Sequence, residues 1–450
     1  MEGVRLGEIA EVLRGELVGD PGIVPTGASV DSRTTQRGEL FFALKGERTD
    51  GHRFVGEALR KGAAAAVVRT GWMKEHWESG PLIGVEDPLR ALGKLASWYR
   101  RRFPVTLVAV TGSNGKTTAK EMAAAVLGTR HRTLKSEGSW NNEIGLPLTL
   151  LRLSGRHDVA VVELGMNAPG EIENLAQMAV PQVGIITNVG PAHVGAFGSL
   201  EGVARAKGEL LEVLGEEGVA VLNWDDPWVR RLGKEFGGKV VWYGMGEGAE
   251  VRAEEIRLEG GRPVFQVGDV EFRLGVLGEY QVYNALVAVV IGSLFEVNLG
   301  EAAQALKDFQ VPHMRGEVVE VEGVRVLVDC YNANPASMRE ALKLLGALPG
   351  RRVAVLGDML ELGALASEFH REVGTYAARC GIDLLLCIGE WAGDMAEGAK
   401  EGGVTEVEVF EDREELARRL CELARQGDWV LVKGSRRVAL EKVVREAFGI

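Results

Sequence analysis

Residues 106–118 constrain the fold of this 450-residue chain more than any other segment. The short apolar run TLVAV is followed directly by TGSNGKTT, and the helical stretch TTAKEMAAAVLG continues from it. A β-rich apolar run predicts a buried strand. The glycines after it allow the backbone to curl so that successive N–H groups point at phosphate oxygens. This order of strand, loop and helix therefore predicts an α/β sheet that carries a phosphate-binding loop.

Lys116 and Thr117 give that loop its chemistry. Lys116 supplies a full positive charge, and the Thr117 hydroxyl is able to bind Mg²⁺. The general P-loop pattern begins with a glycine where this chain has Val110, so a glycine-rich turn before a helix is the alternative interpretation. The strand–loop–helix context favours ATP over that alternative. The predicted ATP-binding loop consists of Thr111, Gly112, Ser113, Asn114, Gly115, Lys116, Thr117 and Thr118.

Apolar runs and helical stretches alternate through most of the chain, as in parallel sheets covered by helices. Alternating polar and apolar residues between 250 and 277 predict antiparallel hairpin strands. A second doubly wound sheet starts near residue 312. We therefore predict an α/β fold of three domains. They are a small N-terminal α/β domain (1–103), a central P-loop domain with a parallel sheet (104–311) and a C-terminal Rossmann-like domain (312–450).

The composition limits the partners of the chain. It is 46% hydrophobic and 26% charged, which is typical of a globular protein. Its formal net charge of −12 argues against a general affinity for nucleic acid or anionic membranes. The four cysteines form no CxxC pair, and the N-terminal segment is neither a signal peptide nor a membrane span. We therefore expect a cytoplasmic protein that is not inserted in a membrane. A monomer is a separate expectation, which these numbers do not establish.

Polar residues follow two strands of the predicted central sheet. Glu163 follows the apolar run of residues 159–162, where a carboxylate is able to hold Mg²⁺ beside the phosphates. An ordinary solvated acid at a strand end is the alternative. His193 lies in the loop GPAHVG, and a lone loop histidine is more often without a metal than with one. The pair Asn141-Asn142 opens a predicted helix over NNEIGLPLTLLRL, where asparagine is a good cap.

Lys207 lies on the apolar stripe of a predicted helix. In LEGVARAKGELLEVL the spacing of 3.6 residues places it in line with core residues. A buried lysine needs a partner or a modification that changes its charge, unless it reaches the surface along its own stem. The residues on this stripe are Leu200, Val203, Lys207, Leu210, Leu211 and Leu214.

Three strands of the third domain also end in polar residues. Asp329 ends VRVLV, Asp358 ends VAVLG and Lys433 ends DWVLV. Tyr331 and Asn332 follow the first of these strands. Each of these residues could be part of a turn or a cap. Their position at the ligand-binding edge of one sheet favours a site.

Seven segments together resemble the Mur ligase family, the ATP-dependent amide-forming enzymes of peptidoglycan precursor synthesis. The resemblance covers essentially the whole chain. Any one of the segments alone would not be specific, whereas the combination is. The segments are TGSNGKTTAKEM, NNEIGLPLTLLRL, VVELGMNAPGEI, PAHVGAFGSLEGVARAKGEL, DCYNANPASM, GDMLELG and VLVKGSRR.

The resemblance implies metal and catalytic roles. Lys116 and Thr117 would hold the ATP phosphates and a first Mg²⁺, with Glu163 on the same ion. His193 would bind a second Mg²⁺. Lys207 would be carbamylated, which turns a cation into an anion able to bind metal. The expected catalytic residues are Lys116, Asn142, His193 and Lys207.

The resemblance also implies contacts with ATP from elsewhere in the chain. Asn284 would contact adenine, and Arg315 and Asp329 would contact ATP from the C-terminal domain. Tyr331 and Asn332 would lie on the same wall. The chain departs from the family pattern with Tyr280-Gln281 in place of a common His-Asn pair, with Met314 in place of glycine and with Cys330 in place of serine. These departures concern the adenine wall and leave the reaction unchanged.

The N-terminal segments would hold the UDP of a sugar nucleotide. The expected residues are Ser32, Arg33, Lys45, Asp50 and His52. The resemblance is strongest to the ligase that joins D-alanyl-D-alanine to UDP-N-acetylmuramoyl-tripeptide, and these two compounds are the expected substrates. The tripeptide carboxylate would attack the γ-phosphate of ATP, and the dipeptide amine would attack the resulting acyl phosphate. Such an enzyme serves cell-wall biogenesis, cell shape and division.

Three other functions compete with this one. A ligase that adds the third amino acid typically carries an Asp-Asn-Pro-Arg type segment in its last domain, which this chain lacks. The N-terminal VDSRTT segment argues against a folylpolyglutamate synthase. A non-catalytic nucleotide-binding partner should lose the metal or carbamate positions, whereas Glu163, His193 and Lys207 are all present.

Overall fold

The computed structural model describes residues 1–46, 49–77, 80–192 and 194–449. Their strands form four sheets, of which three are mainly or wholly parallel and one is antiparallel. The predicted α/β class with a central parallel sheet and a second doubly wound sheet is confirmed. The described part of the chain contains no helix long and apolar enough to cross a membrane.

The N-terminal unit has one five-stranded sheet in the order β1-β5-β4-β3-β2, parallel except for β1. The predicted strand ASVDSR is shorter than expected, because Asp31 O accepts hydrogen bonds from the N–H groups of Thr34 and Thr35 and so starts a turn. The elements are α1 (Leu6–Leu13), β1 (Glu16–Val18), β2 (Gly27–Ser29), β3 (Glu39–Phe42), α2 (Val55–Arg60), β4 (Ala65–Arg69), α3 (Thr70–His76), β5 (Leu82–Val85) and α4 (Pro88–Arg100).

The central unit has a seven-stranded parallel sheet in the order β12-β11-β10-β9-β6-β8-β7. The elements of this sheet and its helices are β6 (Thr106–Thr111), α5 (Lys116–Leu127), β7 (Thr133–Lys135), α6 (Gly145–Leu150), β8 (Val159–Glu163), α7 (Glu171–Ala179), β9 (Val183–Ile186), α8 (Val194–Phe197), α9 (Leu200–Leu214), β10 (Val219–Asn223), α10 (Pro227–Glu235), β11 (Lys239–Gly244) and β12 (Val251–Arg252). The predicted antiparallel strands follow, with the helices α11 and α12 after them. They are β13 (Glu254–Glu259), β14 (Arg262–Val267), β15 (Val270–Arg273), α11 (Gln281–Leu294) and α12 (Leu299–Lys307).

The C-terminal unit has a six-stranded sheet in the order β16-β17-β21-β18-β19-β20, parallel except for the edge strand β16. Helices cover both faces, as two separate apolar clusters beside the sheet indicate. The elements are β16 (Glu317–Val321), β17 (Val324–Val328), α13 (Pro335–Ala347), β18 (Arg352–Gly357), α14 (Ala366–Arg379), β19 (Leu384–Ile388), α15 (Ala392–Gly402), β20 (Glu406–Phe410), α16 (Arg413–Leu423), β21 (Trp429–Lys433) and α17 (Glu441–Phe448).

Helix α4 fixes the N-terminal unit against the central one. The hydroxyl of Tyr99 donates a hydrogen bond to Leu153 O over 2.8 Å. The buried guanidinium of Arg100 donates to Ala179 O at 2.9 Å and to Val105 O at 2.8 Å. Backbone carbonyls therefore satisfy a charge that burial would otherwise penalise, although burial still lowers the pKa of Arg100. The predicted boundaries at residues 103 and 311 remain predictions.

Two details of the predicted central helices differ. Helix α6 begins at Gly145 and not at Asn141, because the Asn142 side chain accepts hydrogen bonds from the N–H groups of Ile144 and Gly145 and makes a turn ahead of the helix. On α9, Leu200 is exposed because it is the first residue of the helix and lies at the end of its core-facing stripe. The other residues predicted on that stripe, Lys207 included, are buried.

Candidate functional site

Two glycines shape the loop between β6 and α5. Gly112 has φ +145°, and a Cβ there would lie 1.9 Å from the Thr187 hydroxyl oxygen. Gly115 has φ +82°, and a Cβ there would lie 2.5 Å from the amide oxygen of Asn284. Backbone conformation and close approach by neighbouring side chains therefore both require glycine at these positions. This requirement explains the sequence pattern without reference to any ligand.

Contacts with the end of β9 hold the loop in place. The N–H groups of Ser113 and Asn114 donate to the backbone and side-chain oxygens of Asn188, each over 2.9 Å. The Thr187 hydroxyl donates to Asn114 O over 2.6 Å. The first hydrogen bond of α5 runs from Ala119 N, so the amides of residues 116–118 have no partner within the helix. These amides make the start of α5 an anion-binding position.

Lys116 lies at the start of α5. Its ammonium donates to Gly112 O over 2.8 Å. Burial lowers the pKa of Lys116, Glu163 opposes that shift, and Arg315 adds to it. A cation therefore lies in a desolvated position beside the free amides of the loop, where its attraction for phosphate is stronger than in water.

Glu163 is joined directly to the loop. The Thr117 hydroxyl donates to Glu163 Oε2 over 2.7 Å, and the Asn141 amide donates to Glu163 Oε1 over 2.7 Å. Glu163 is only 1% exposed, so the alternative of a solvated strand-end acid is wrong. A hydroxyl and a carboxylate so close together form a set of oxygen donors of the kind that Mg²⁺ prefers.

Lys207 is buried behind the cleft wall, and 2% of it is exposed. Within residues 1–46, 49–77, 80–192 and 194–449, its one hydrogen-bond contact is with Met166 Sδ at 4.0 Å. Burial lowers the pKa of Lys207 well below its usual range, and nearby Lys116 lowers it further. Burial of this kind favours the neutral, nucleophilic form of the amine over its charged form. His193, the other residue predicted for a second metal, lies outside the described residues.

The C-terminal unit contributes the opposite wall. The Arg315 guanidinium stacks over the Tyr331 ring at 4.0 Å, and its Nη2 donates to the Ser139 hydroxyl of the central unit over 2.7 Å. The Asn334 amide donates to the side-chain oxygen of Asn114 over 2.7 Å. The two units therefore meet directly at the phosphate loop.

Lys433 forms an ion pair with Asp329 over 2.6 Å and donates to Asn332 O over 3.2 Å. The predicted polar edge of this sheet thus contains a buried cation with a carboxylate partner. Asp358 behaves differently, since it accepts hydrogen bonds from the N–H groups of Glu390 and Trp391 just ahead of α15. The interpretation of Asp358 as a turn and cap residue is the one that its contacts favour.

One cleft of about 1340 Å³ collects most of the predicted residues. Its walls come from the central and C-terminal units and from helix α4. Thr111 and Gly112, the first two residues of the predicted loop, do not line the cleft. The predicted residues on its wall are Ser113, Asn114, Gly115, Lys116, Thr117, Thr118, Asn142, Glu163, Asn284, Arg315, Asp329, Tyr331 and Asn332.

The residues predicted for UDP lie at the carboxyl edge of the N-terminal sheet, outside this cleft. Asp50 and His52 line a separate hollow of about 360 Å³. Asp50 lies 2.6 Å from Nδ1 of the His52 ring, and Arg69 N donates to its Nε2. The remaining predicted residues do not line this hollow. The Ser32 hydroxyl donates a hydrogen bond to Glu57, and Arg33 forms an ion pair with Asp31. The backbone of Lys45 forms an isolated antiparallel β-bridge with that of Asp50.

Sequence reasoning missed several residues of the cleft. Asn141 and Ser139 have no distinctive spacing, because their roles depend on a loop that the sequence does not place. Lys94 on α4 and Arg437 after β21 also line the cleft, and in the described part of the chain neither has a hydrogen-bond or ion-pair partner. Arg437 lies in the segment VLVKGSRR, which is the one signal that pointed near it.

Comparisons with known proteins bear on this arrangement. Mur ligase domains match three segments of the chain: the family's catalytic domain matches residues 26–100, the middle domain residues 110–292 and the glutamate ligase domain residues 314–436. The UDP-N-acetylmuramoyl-tripeptide--D-alanyl-D-alanine ligase of Bacillus subtilis is 37% identical, covering 97% of each chain. A crystal structure of MurF from Acinetobacter baumannii is similar with a TM-score of 0.89 and 31% identity, covering 99% of each chain. That of MurF ligase from Thermotoga maritima in complex with ADP is similar with a TM-score of 0.80 and 30% identity, covering 94% of this chain and 97% of that one.

Proposed function

This chain belongs to the Mur ligase family, and we propose that it joins D-alanyl-D-alanine to UDP-N-acetylmuramoyl-tripeptide in an ATP-dependent, ADP-forming reaction of peptidoglycan precursor synthesis. One observation carries the proposal. A single cleft contains the phosphate loop, the Thr117–Glu163 pair and the cation-bearing edge of the C-terminal sheet. The relatives that match along the whole chain carry the name of this ligase. Because the proposed reaction consumes ATP and a nucleotide sugar, we expect the enzyme to act in the cytoplasm.

ATP fits the cleft at the phosphate loop. The free amides at the start of α5 and the Lys116 ammonium suit its phosphates. Asn284 packs against Gly115 and lines the cleft together with Tyr280 and Gln281. This part of the wall suits the adenine base of ATP. Arg315 and Asp329 face the same space from the C-terminal unit. The ADP complex of the Thermotoga maritima relative supports this assignment.

Mg²⁺ fits the Thr117 hydroxyl and the Glu163 carboxylate. Among the described residues, no cluster of three or more His, Cys, Asp or Glu side chains is placed to hold a metal. Few protein ligands beside substrate phosphates are typical of Mg²⁺ sites. When bound, the ions would offset the charge of the phosphates and of the attacking carboxylate. We assign a second ion to His193 and to the carbamate of Lys207.

A carbamate on Lys207 suits the environment of that amine. The reaction joins the neutral Nζ to the carbon of CO₂ and releases one proton, which leaves an anion. A neutral amine is required, and burial of Lys207 favours that form by lowering its pKa. The amine also lacks a carboxylate or carbonyl partner in the described chain, so its position is open to a modification that adds oxygen donors.

The proposed reaction has two steps. A carboxylate oxygen of the tripeptide forms a bond with the γ-phosphorus of ATP as the bond to ADP breaks. The dipeptide amine then attacks the acyl carbon, loses a proton and expels phosphate, which carries that oxygen away. Lys116 and the loop amides hold the transferring group where its charge develops. Asn142 lines the cleft near this position and takes a substrate-orienting role.

Two cationic side chains on the cleft wall have no hydrogen-bond or ion-pair partner in the described part of the chain, and they suit the anionic groups of the two substrates. Lys94 lies on α4, on the side of the cleft nearest the N-terminal unit, where the nucleotide sugar would enter. Arg437 lies on the C-terminal unit, and we assign it to the carboxylate of the incoming dipeptide. Ser32, Arg33, Lys45, Asp50 and His52 remain the residues proposed for UDP.

Phosphate release with UDP-N-acetylmuramoyl-tripeptide, ATP and Mg²⁺ tests the proposal. The reaction should depend on D-Ala-D-Ala and should not proceed with single amino acids. Phosphate release only with a single amino acid and the nucleotide sugar that carries a dipeptide in place of the tripeptide would favour the preceding ligase of the pathway. ATP binding with no release under any of these conditions would favour a non-catalytic nucleotide-binding partner.

A further inference from the structure

Lys120 is a fully buried lysine, one turn along α5 from Lys116, that the proposed reaction does not use. Its ammonium donates to Ser136 O over 2.6 Å and to Gly138 O over 2.7 Å. It also forms an ion pair with Glu121 over 2.9 Å. A buried cation is stable only with such partners. The result is that the segment between β7 and α6 is tied to the helix that begins at the phosphate loop.

The next residue of that segment is Ser139, whose hydroxyl lies between two domains. Arg315 of the C-terminal unit donates to it over 2.7 Å. On its other side the Thr117 hydroxyl lies at 3.3 Å, and Thr117 donates to Glu163. A guanidinium can only donate, and an ionised carboxylate can only accept. The hydroxyl protons therefore point in one direction, from Arg315 through Ser139 and Thr117 to Glu163.

We propose that Ser139 is a positioning residue that links the seating of the C-terminal domain to the Thr117 hydroxyl of the phosphate loop, and that Lys120 holds the segment carrying it. The inference rests on the proposed function for its main readout, ATP-dependent turnover. With Arg315 in place, the Ser139 hydroxyl oxygen accepts a hydrogen bond from the guanidinium, and the Ser139 hydroxyl proton is directed at Thr117. When the domain moves away, the Ser139 hydroxyl is free to turn, and the Thr117 hydroxyl, which still donates to Glu163, loses the hydrogen bond that it accepts from Ser139.

Ser139 is partly exposed and small, so its substitution should leave the fold intact. We expect Ser139→Ala to lower kcat about 10- to 100-fold, as outer contacts of metal and phosphate sites do. The KM for ATP should change much less, since Lys116 and the loop amides remain. Ser139→Thr keeps the hydroxyl and should restore most of kcat. An unchanged kcat in Ser139→Ala, or a threonine variant as slow as the alanine variant, would overturn the proposal.

A double-mutant cycle with Arg315→Ala separates this link from a local effect. Once Arg315 is removed, deleting the Ser139 hydroxyl should cost much less in kcat, because the chain of hydrogen bonds is already broken. Additive losses would contradict the link. Lys120→Met should also lower kcat, and by much less once Arg315 is removed. Its thermal unfolding midpoint will show whether this variant folds. If it does not fold, the Ser139 cycle decides the question alone.

A second readout keeps the link testable apart from the ligase activity. ATP with Mg²⁺ should reduce the radius of gyration, measured by X-ray scattering, less in Ser139→Ala than in the wild type. If the wild type released no phosphate with D-Ala-D-Ala, the proposed function would fail while this comparison would still test the link. Equal compaction of the wild type and Ser139→Ala would count against the link.

Discussion

The Thr117 hydroxyl donates a hydrogen bond to Glu163 Oε2 over 2.7 Å, joining the first turn of α5 to the end of the neighbouring strand β8. The two residues lie 46 positions apart in the chain, and the parallel pairing of β6 with β8 brings them together. The proposed Mg²⁺ site therefore follows from the strand order. It also depends on a carboxylate that is buried and already held by Asn141.

Glu163→Gln should test that site. The amide keeps the shape and a hydrogen bond but loses the charge, so we expect kcat to fall about 10²- to 10³-fold. The Mg²⁺ concentration for half-maximal activity should rise. Glu217→Gln changes an exposed residue far from the cleft and should behave as wild type. Phosphate release measured over a Mg²⁺ titration would decide, and an unchanged Mg²⁺ dependence would rule Glu163 out as a ligand.

Gly112→Ala should abolish ATP binding while the rest of the chain stays folded. The added methyl would meet the Thr187 hydroxyl at 1.9 Å, and the φ of +145° is one that alanine rarely adopts. Gly170→Ala is a matched control, because it also has a positive φ but nothing within 4 Å of the added Cβ. Titration with a fluorescent ATP analogue measures the effect. Wild-type affinity in Gly112→Ala would contradict the loop geometry.

Lys207 should carry a carbamate in the active enzyme. Burial lowers the pKa of its amine, which raises the fraction in the neutral form that reacts with CO₂. A ¹³C carbamate signal should appear in protein supplied with ¹³C-bicarbonate and should be absent from Lys207→Ala. That variant should also lose nearly all activity. Full activity in the variant, or no signal in the wild type, would refute the modification.

Arg437→Ala should raise the KM for D-Ala-D-Ala about tenfold or more, the loss expected for one charge-assisted hydrogen bond. The KM for ATP should stay close to wild type, because Lys116 and the loop amides, which are proposed to hold the phosphates, are unchanged in this variant. Arg418→Ala, an exposed arginine on α16, is the control. Steady-state kinetics with the concentrations of ATP and D-Ala-D-Ala varied would measure both KM values. A raised KM for ATP with an unchanged KM for D-Ala-D-Ala would exclude a role for Arg437 in dipeptide binding.

His370 should make the C-terminal unit sensitive to acid. It is fully buried, and its Nε2 accepts from Met359 N over 2.9 Å while its Nδ1 donates to Ala366 O. Burial lowers the pKa of His370, with Asp358 and Asp394 opposing the shift. The unfolded chain, with a histidine pKa of about 6.5, therefore binds more protons, and stability falls as the pH drops below that value.

The test compares wild type with His370→Gln. The variant should unfold about 1–3 kcal/mol more easily at pH 8, since two buried hydrogen bonds change. The difference between the two free energies of unfolding should shrink as the pH falls below about 6.5. Chemical denaturation over this pH range measures it. A difference that does not vary with pH would mean that His370 is not held neutral.

The sequence predicted those features that depend on local pattern. The phosphate loop follows from a strand, glycines and a helix in order, and the inward position of Lys207 follows from helical spacing. The contacts of Ser139 could not be predicted, because they need the place of a loop and the seating of a second domain. Asp358 was misleading for a related reason. Its position at a strand end suits a ligand, but the start of α15 takes both of its oxygens.

Oxygen transfer from the tripeptide to phosphate tests the central claim most directly. The terminal carboxylate of UDP-N-acetylmuramoyl-tripeptide would be labelled with ¹⁸O and incubated with the enzyme, ATP, Mg²⁺ and D-Ala-D-Ala. Mass spectrometry should find ADP, phosphate carrying one labelled oxygen, and a product enlarged by the dipeptide that keeps the other. AMP formation, unlabelled phosphate, or a tripeptide left without the dipeptide would contradict carboxylate activation at this cleft.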